Sequence, residues 1–202
     1  MPTLLTDLTQ CKTFGEFTKA YANALAQSYN LILMPALEAA IQALEKCFQS
    51  EKTRLFLIGN GGSVSVASHF QYEVNHRLKV AYPHARAFNL CGNPETVSYI
   101  SHASGFENVF LEQLERQAHK GDLLFAFSVT GNDQNILKAC QWAKANKVLI
   151  LGVSGYDGGK LKELADIPLH IPTPKPHYDI TIDLFQVLTH SISCYLDRGL
   201  QR

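Results

Sequence analysis

With 202 residues, 46% of them hydrophobic and 18% charged, the chain is long enough to bury a full core in one domain and reads as an ordinary soluble globular protein. Its 18 basic and 18 acidic residues cancel to a formal net charge of zero, with no Lys/Arg-rich run, which argues against nucleic acid or an anionic membrane as partner. No stretch approaches the about 20 uninterrupted apolar residues that span a bilayer, and Met1-Pro2-Thr3-Leu4-Leu5-Thr6-Asp7 lacks the basic start and apolar run of a signal peptide. The odd set Cys11, Cys47, Cys91, Cys140 and Cys194 contains no Cys-x-x-Cys pair, so it reads as buried thiols of a cytoplasmic protein rather than as a disulfide framework or thiolate zinc site.

In chain order, Phe14 to Ser50 is a helical arm, with Phe17, Tyr21, Ala24, Leu25 and then Leu37, Ala40, Ile41, Leu44 at three- and four-residue intervals; Pro35 should break or kink it. The arm carries more apolar surface than one domain needs, which suggests packing against another subunit. Alternating elements follow: strand Arg54–Ile58, helix Ser63–Leu78, strand Arg86–Leu90, helices from about Glu95 to Ala118, strand Asp122–Phe127, helix Asp133–Ala145, strand Val148–Val153, strand Ile167–Ile171 and a last helix from about Tyr178 to Asp197. This pattern predicts an α/β three-layer sandwich, a five-stranded parallel sheet with helices on both faces, in a single domain over 1–202 with 1–50 as the arm. Ligands of such sheets collect at the carboxyl ends of the strands.

The first strand empties into Gly59-Asn60-Gly61-Gly62-Ser63 and a helix, a turn whose free backbone N–H groups and positive helix end suit an anion. His69 and Glu73 stand four apart on that helix and share one face, where an imidazole and a carboxylate can bind a metal or move protons. The third strand ends in Ser128-Val129-Thr130-Gly131-Asn132-Asp133, a second anion-friendly loop at the same sheet edge; alternatively Asp133 simply caps the next helix. Gly155-Tyr156-Asp157-Gly158-Gly159 after the fourth strand reads as architecture. In the last helix Asp183, Gln186 and His190 form a polar stripe in an apolar background.

These motifs, with Ser68-His69-Phe70 and Gly105-Phe106-Glu107, resemble the sugar isomerase (SIS) domain, and within it the sedoheptulose 7-phosphate isomerases, also called phosphoheptose isomerases, over nearly the whole chain. The resemblance implies a homotetrameric (or homodimeric) cytoplasmic enzyme that interconverts a ketose phosphate and an aldose phosphate for surface polysaccharide. It implies zinc on the positions of His69, Glu73 and His190, with Glu73 and His190 as the acid/base pair. It also implies substrate and phosphate contacts at Asn60, Gly61, Gly62, Ser63, Ser128, Thr130 and Asn132. The chain departs from the pattern in three places. The expected glutamine ligand eight residues before His190 is Ile182, so Asp183 or Gln186 would have to substitute. Asp133 stands where the phosphate loop has a serine, and would repel phosphate unless it turns away to cap the helix. Asn93 stands where a substrate-side aspartate is expected. Together they suggest a related isomerase with an altered sugar substrate, holding zinc or another divalent ion such as nickel, cobalt or manganese. Two other readings are a non-catalytic SIS-domain protein resembling the replication-initiator-associating factor and a sugar-phosphate sensor.

Overall fold

The computed structural model describes residues 8–198; the ends of the expected 1–202 domain, including Met1–Asp7, lie outside them. A five-stranded all-parallel sheet in the order β2-β1-β3-β4-β5 is built from β1 (Leu55–Gly59), β2 (Ala87–Asn89), β3 (Leu123–Ser128), β4 (Leu149–Ser154) and β5 (Ile167–His170). The strands alternate strictly. Leu55, Leu57, Phe125 and Phe127 face one apolar cluster with α1 (Phe14–Tyr29), α2 (Met34–Gln49), α3 (Gly62–Asn75) and α8 (Tyr178–Asp197). Phe56, Ile58, Leu124 and Ala126 face the other, with α4 (Pro94–Ser104), α5 (Leu111–Gln117), α6 (Gln134–Ala145) and α7 (Gly159–Leu164). This period-two division gives the predicted three layers.

The arm breaks earlier than Pro35. Helix α1 ends with Asn30 at its C-cap, and α2 restarts at Met34 with Pro35 in its first turn, where the missing N–H costs nothing. Its inner residues Ala24, Ala40, Leu44 and Phe48 join the core of the chain's own sheet, while Phe14 (84% exposed), Leu33 and Met34 face outward. The span from Glu95 to Ala118 resolves into α4, a single 3-10 turn at Phe106–Asn108, and α5. All five cysteines are free thiols; Cys47 and Cys140 are buried as expected, but Cys194 is exposed because it sits on the outward side of α8. No helix among the described residues is long and apolar enough to cross a membrane.

The sheet order reverses direction between β1 and β3: from β1 the chain steps out to β2, then returns past β1 to β3. At such a switch point the loops leaving two neighbouring strands diverge and open a crevice. The β1–α3 and β3–α6 loops are therefore side by side.

Candidate active site

Gly61 adopts φ +53, and a Cβ there would lie 2.8 Å from the Tyr178 hydroxyl, so only glycine allows both the turn and this approach. The turn launches α3. The Gly62 N–H donates to the Tyr178 hydroxyl at 3.2 Å, while the Ser63 and Val64 N–H groups return to the Asn60 and Gly61 carbonyls, each at 3.0 Å. Across the crevice, the Asn60 and Asn135 side-chain amides exchange two hydrogen bonds of 2.9 Å, joining the two loops. The buried Ser128 hydroxyl accepts from the Gly131 N–H at 2.8 Å and donates to the Asp133 carboxylate. Thr130 donates to the same carboxylate oxygen at 3.4 Å and accepts from the Asn132 N–H at 3.1 Å. Asp133 thus holds the N-cap position of α6 without a side-chain cap bond; its carboxylate lies over the loop instead. The Asn132 side chain accepts from the Lys160 N–H at 3.2 Å and donates to the Thr130 carbonyl at 3.0 Å. Asn93 is the N-cap of α4, accepting from the Thr96 N–H at 2.8 Å.

The second part of the site lies between α3 and α8. His69, Glu73 and His190 bring one ligand atom each within 4.8 Å of one another. His69 Nε2 stands 2.8 Å from His190 Nε2 and 3.9 Å from Glu73 Oε1. Both imidazoles are exposed, whereas Glu73 is 3% exposed. A buried carboxylate must be paired, and this one is: Arg77, in the 3-10 turn Arg77–Lys79 that follows α3, donates to Oε1 at 3.1 Å, and Ser193 donates to Oε2 at 2.7 Å. Arg77 is itself fixed by Asp197 at 3.0 Å.

Of the α8 stripe, Gln186 joins the group, its amide 3.1 Å from His190 Nε2. Asp183 lies about 10.5 Å up the helix axis from His190 by the rise of seven residues, and its carboxylate accepts from Tyr21 of α1 at 2.6 Å. Burial first, then that hydrogen bond, push the Tyr21 phenol above its ordinary pKa, so it stays a donor. Ile182 packs over Gly62, where an added Cβ would meet its Cγ2 at 3.2 Å. Burial pushes the neighbouring Cys91 thiol up to about 12, which keeps it neutral. Arg77, Ser193 and Tyr178 were not singled out by the sequence reading. Arg77 was accessible to it, because it extends the four-residue spacing of His69 and Glu73 by one more step.

The donor set fits a divalent ion. Tetrahedral coordination with bonds of 2.0–2.1 Å places ligand atoms about 3.3 Å apart; the two separations from His69, 2.8 and 3.9 Å, lie either side of that value, and all three atoms fall within 4.8 Å of one another.

Residues 16–155 match the family described as the SIS domain. A phosphoheptose isomerase of Helicobacter hepaticus is 39% identical over 154 residues, covering 74% of this chain and 77% of its own. One from Helicobacter pylori strain P12 is 33% identical over 170 residues, covering 84% and 85%. The solved phosphoheptose isomerase of Neisseria gonorrhoeae shares the fold with a TM-score of 0.79 at 23% identity, over 92% of this chain and 100% of that one. The one from Francisella tularensis does so with a TM-score of 0.81 at 21% identity, over 92% and 99%. The chain belongs to the SIS domain family, among relatives that are phosphoheptose isomerases.

Proposed function

We propose that this chain is an aldose–ketose isomerase of a phosphorylated sugar, similar to the sedoheptulose 7-phosphate isomerases, with Glu73 and His190 as its acid/base pair. The observation that carries this reading is the meeting of His69, Glu73 and His190 from two helices far apart in the chain. Isomerisation needs a base at the carbon next to the carbonyl and an acid at the oxygen. Glu73, held by Arg77 and Ser193, takes the carbon-bound proton as the C–H electron pair becomes the C=C bond of an enediol, and His190 gives a proton to the carbonyl oxygen. In the second half Glu73 returns its proton to the neighbouring carbon, and His190 recovers one from the other hydroxyl. No redox cofactor is consumed. His69, Glu73 and His190 are the residues that would hold a divalent ion, zinc in this reading with Gln186 adding to the set, and such an ion would supply positive charge beside the substrate oxygen. Asn60, Gly61, Gly62, Ser63, Asn93, Ser128, Thr130 and Asn132 are the proposed substrate-side groups.

A homotetramer, or a homodimer, goes with this reading, supported by the outward apolar residues Phe14, Leu33 and Met34 of the arm. A cytoplasmic location is supported by the five free thiols. A purely protein-binding or sensing role leaves the convergence of His190 on Glu73 unexplained.

The test is turnover of a panel of ketose phosphates, sedoheptulose 7-phosphate among them, with and without zinc. Glu73→Gln should lose about 10²- to 10⁴-fold in kcat. Elemental analysis of the same preparations should show metal in the native protein and its loss in His69→Ala and His190→Ala, and light scattering gives the subunit number. Full turnover in Glu73→Gln, or none with any sugar phosphate, would sink the proposal.

A further inference from the structure

The two loops at the switch point offer the groups an oxyanion seeks, and the chain itself has taken them. The Ser128 and Thr130 hydroxyls both donate to one oxygen of Asp133. The first N–H of α3, on Gly62, donates to the Tyr178 hydroxyl. What remains between Asn60, Ser63, Ser128, Thr130, Asp133 and Tyr178 is a pocket of about 60 Å³, enough for a few water molecules. Asp133 is also a wall of the adjoining larger cavity of about 580 Å³, whose one lining cation, Lys138, is engaged by Glu107 at 3.6 Å and Asn108 at 3.1 Å. No lysine or arginine lines the smaller pocket to offset the carboxylate.

We propose that Asp133 is a specificity-determining residue: its carboxylate is the resident anion of the β3–α6 loop, so a phosphate dianion meets like charge and spent hydroxyls there and is held weakly. A phosphate reaches Ser128 and Thr130 only by driving Asp133 out of the loop. A neutral, hydrogen-bond-donating end of a sugar finds an acceptor already in place. This inference rests on the isomerase reading for its relevance to substrate choice, and it narrows that reading to an enzyme whose substrate is not gripped by these two hydroxyls through its phosphate. The physical reason is short-range: like charges at hydrogen-bonding distance in a partly dry loop repel strongly, and both donors that would compensate are used.

Calorimetric titration of the full chain with inorganic phosphate tests it. The native protein should bind phosphate at least tenfold more weakly than Asp133→Ser, which removes the charge and frees the Ser128 hydroxyl. Asp133→Asn, which removes the charge and keeps an acceptor of the same shape, should fall between them and serves as the control should the serine variant fold poorly. Tyr178→Phe, which frees the Gly62 N–H, should add a further gain in the Asp133→Ser background. Native phosphate affinity equal to or above that of both position-133 variants would overturn the proposal. Because phosphate binding is read without turnover, failure of the isomerase reading, seen in the Glu73→Gln comparison, is distinguishable from failure here. Where turnover is present, the KM for a phosphorylated ketose should fall in Asp133→Ser in step with the phosphate affinity.

Discussion

The His69–Glu73–His190 group and the β3–α6 loop are held in opposite ways. The first joins residues 121 positions apart, positioned by the packing of α3 against α8, and leaves its two imidazoles facing outward. The second rests mainly on short-range contacts, Ser128 to Asp133 being five residues apart, with Asn132 also accepting from the Lys160 N–H. The difference teaches where such an enzyme can change. A group assembled by long-range packing cannot be altered without repacking two helices, whereas a local loop is re-functioned by one substitution that leaves the core alone.

Three substitutions bear on that division. The largest effect belongs to Gly131→Ala: Gly131 has φ +68, and an added Cβ would fall 1.9 Å from the Gly158 carbonyl oxygen, so backbone must move. We expect a loss of about 2–4 kcal/mol in denaturant unfolding, with a raised KM but metal content unchanged. Loss of metal together with stability would show that the two halves are not separable. Next, Ser193→Ala removes a hydrogen bond of 2.7 Å to the Glu73 carboxylate. Bonds to charged groups contribute about 1.5–3 kcal/mol, so kcat should drop about tenfold or more while KM stays within about twofold; a pure KM effect would assign Ser193 to the binding half.

The smallest effect is a pH dependence at the end of β5. His170 is half-buried, its Nε2 3.1 Å from the Tyr156 carbonyl and its Nδ1 3.1 Å from Lys162 Nζ, and burial lowers its pKa below the ordinary value. The unfolded chain therefore takes up the proton first. Stability from this residue is fully present above about pH 6.5 and is lost as pH falls from there through the lower folded value. Thermal unfolding should show a steeper decline between pH 7.5 and 5.5 for the native chain than for His170→Gln; parallel curves would remove His170 from the account.

Most of the fold was legible because its signals are local. Strand runs such as Leu55-Phe56-Leu57-Ile58 and the glycine turns after them state their own conformation, and the four-residue spacing of His69 and Glu73 fixes a shared face on any helix. That His190 would meet them is a fact about tertiary packing, which no spacing encodes; it was reached through the resemblance. Choosing among the polar residues of α8 failed for the same reason. Asp183 and Gln186 lie on similar bearings, but only the coordinates show Tyr21 of the arm engaging the first and His190 the second. The direction of the Asp133 side chain was equally hidden, since an aspartate at a helix start can face its own amides or the preceding loop, and here two hydroxyls decided it. The arm's break at Asn30–Leu33 rather than at Pro35 follows from proline's tolerance at the start of a helix.

The doubled amide bridge between Asn60 and Asn135 sets the gauge of the crevice. Parting the loops would break both bonds between Asn60 and the buried Asn135 at once, so the gap behaves as a rigid ruler rather than a jaw. The separation of the two loops is therefore fixed by the scaffold itself.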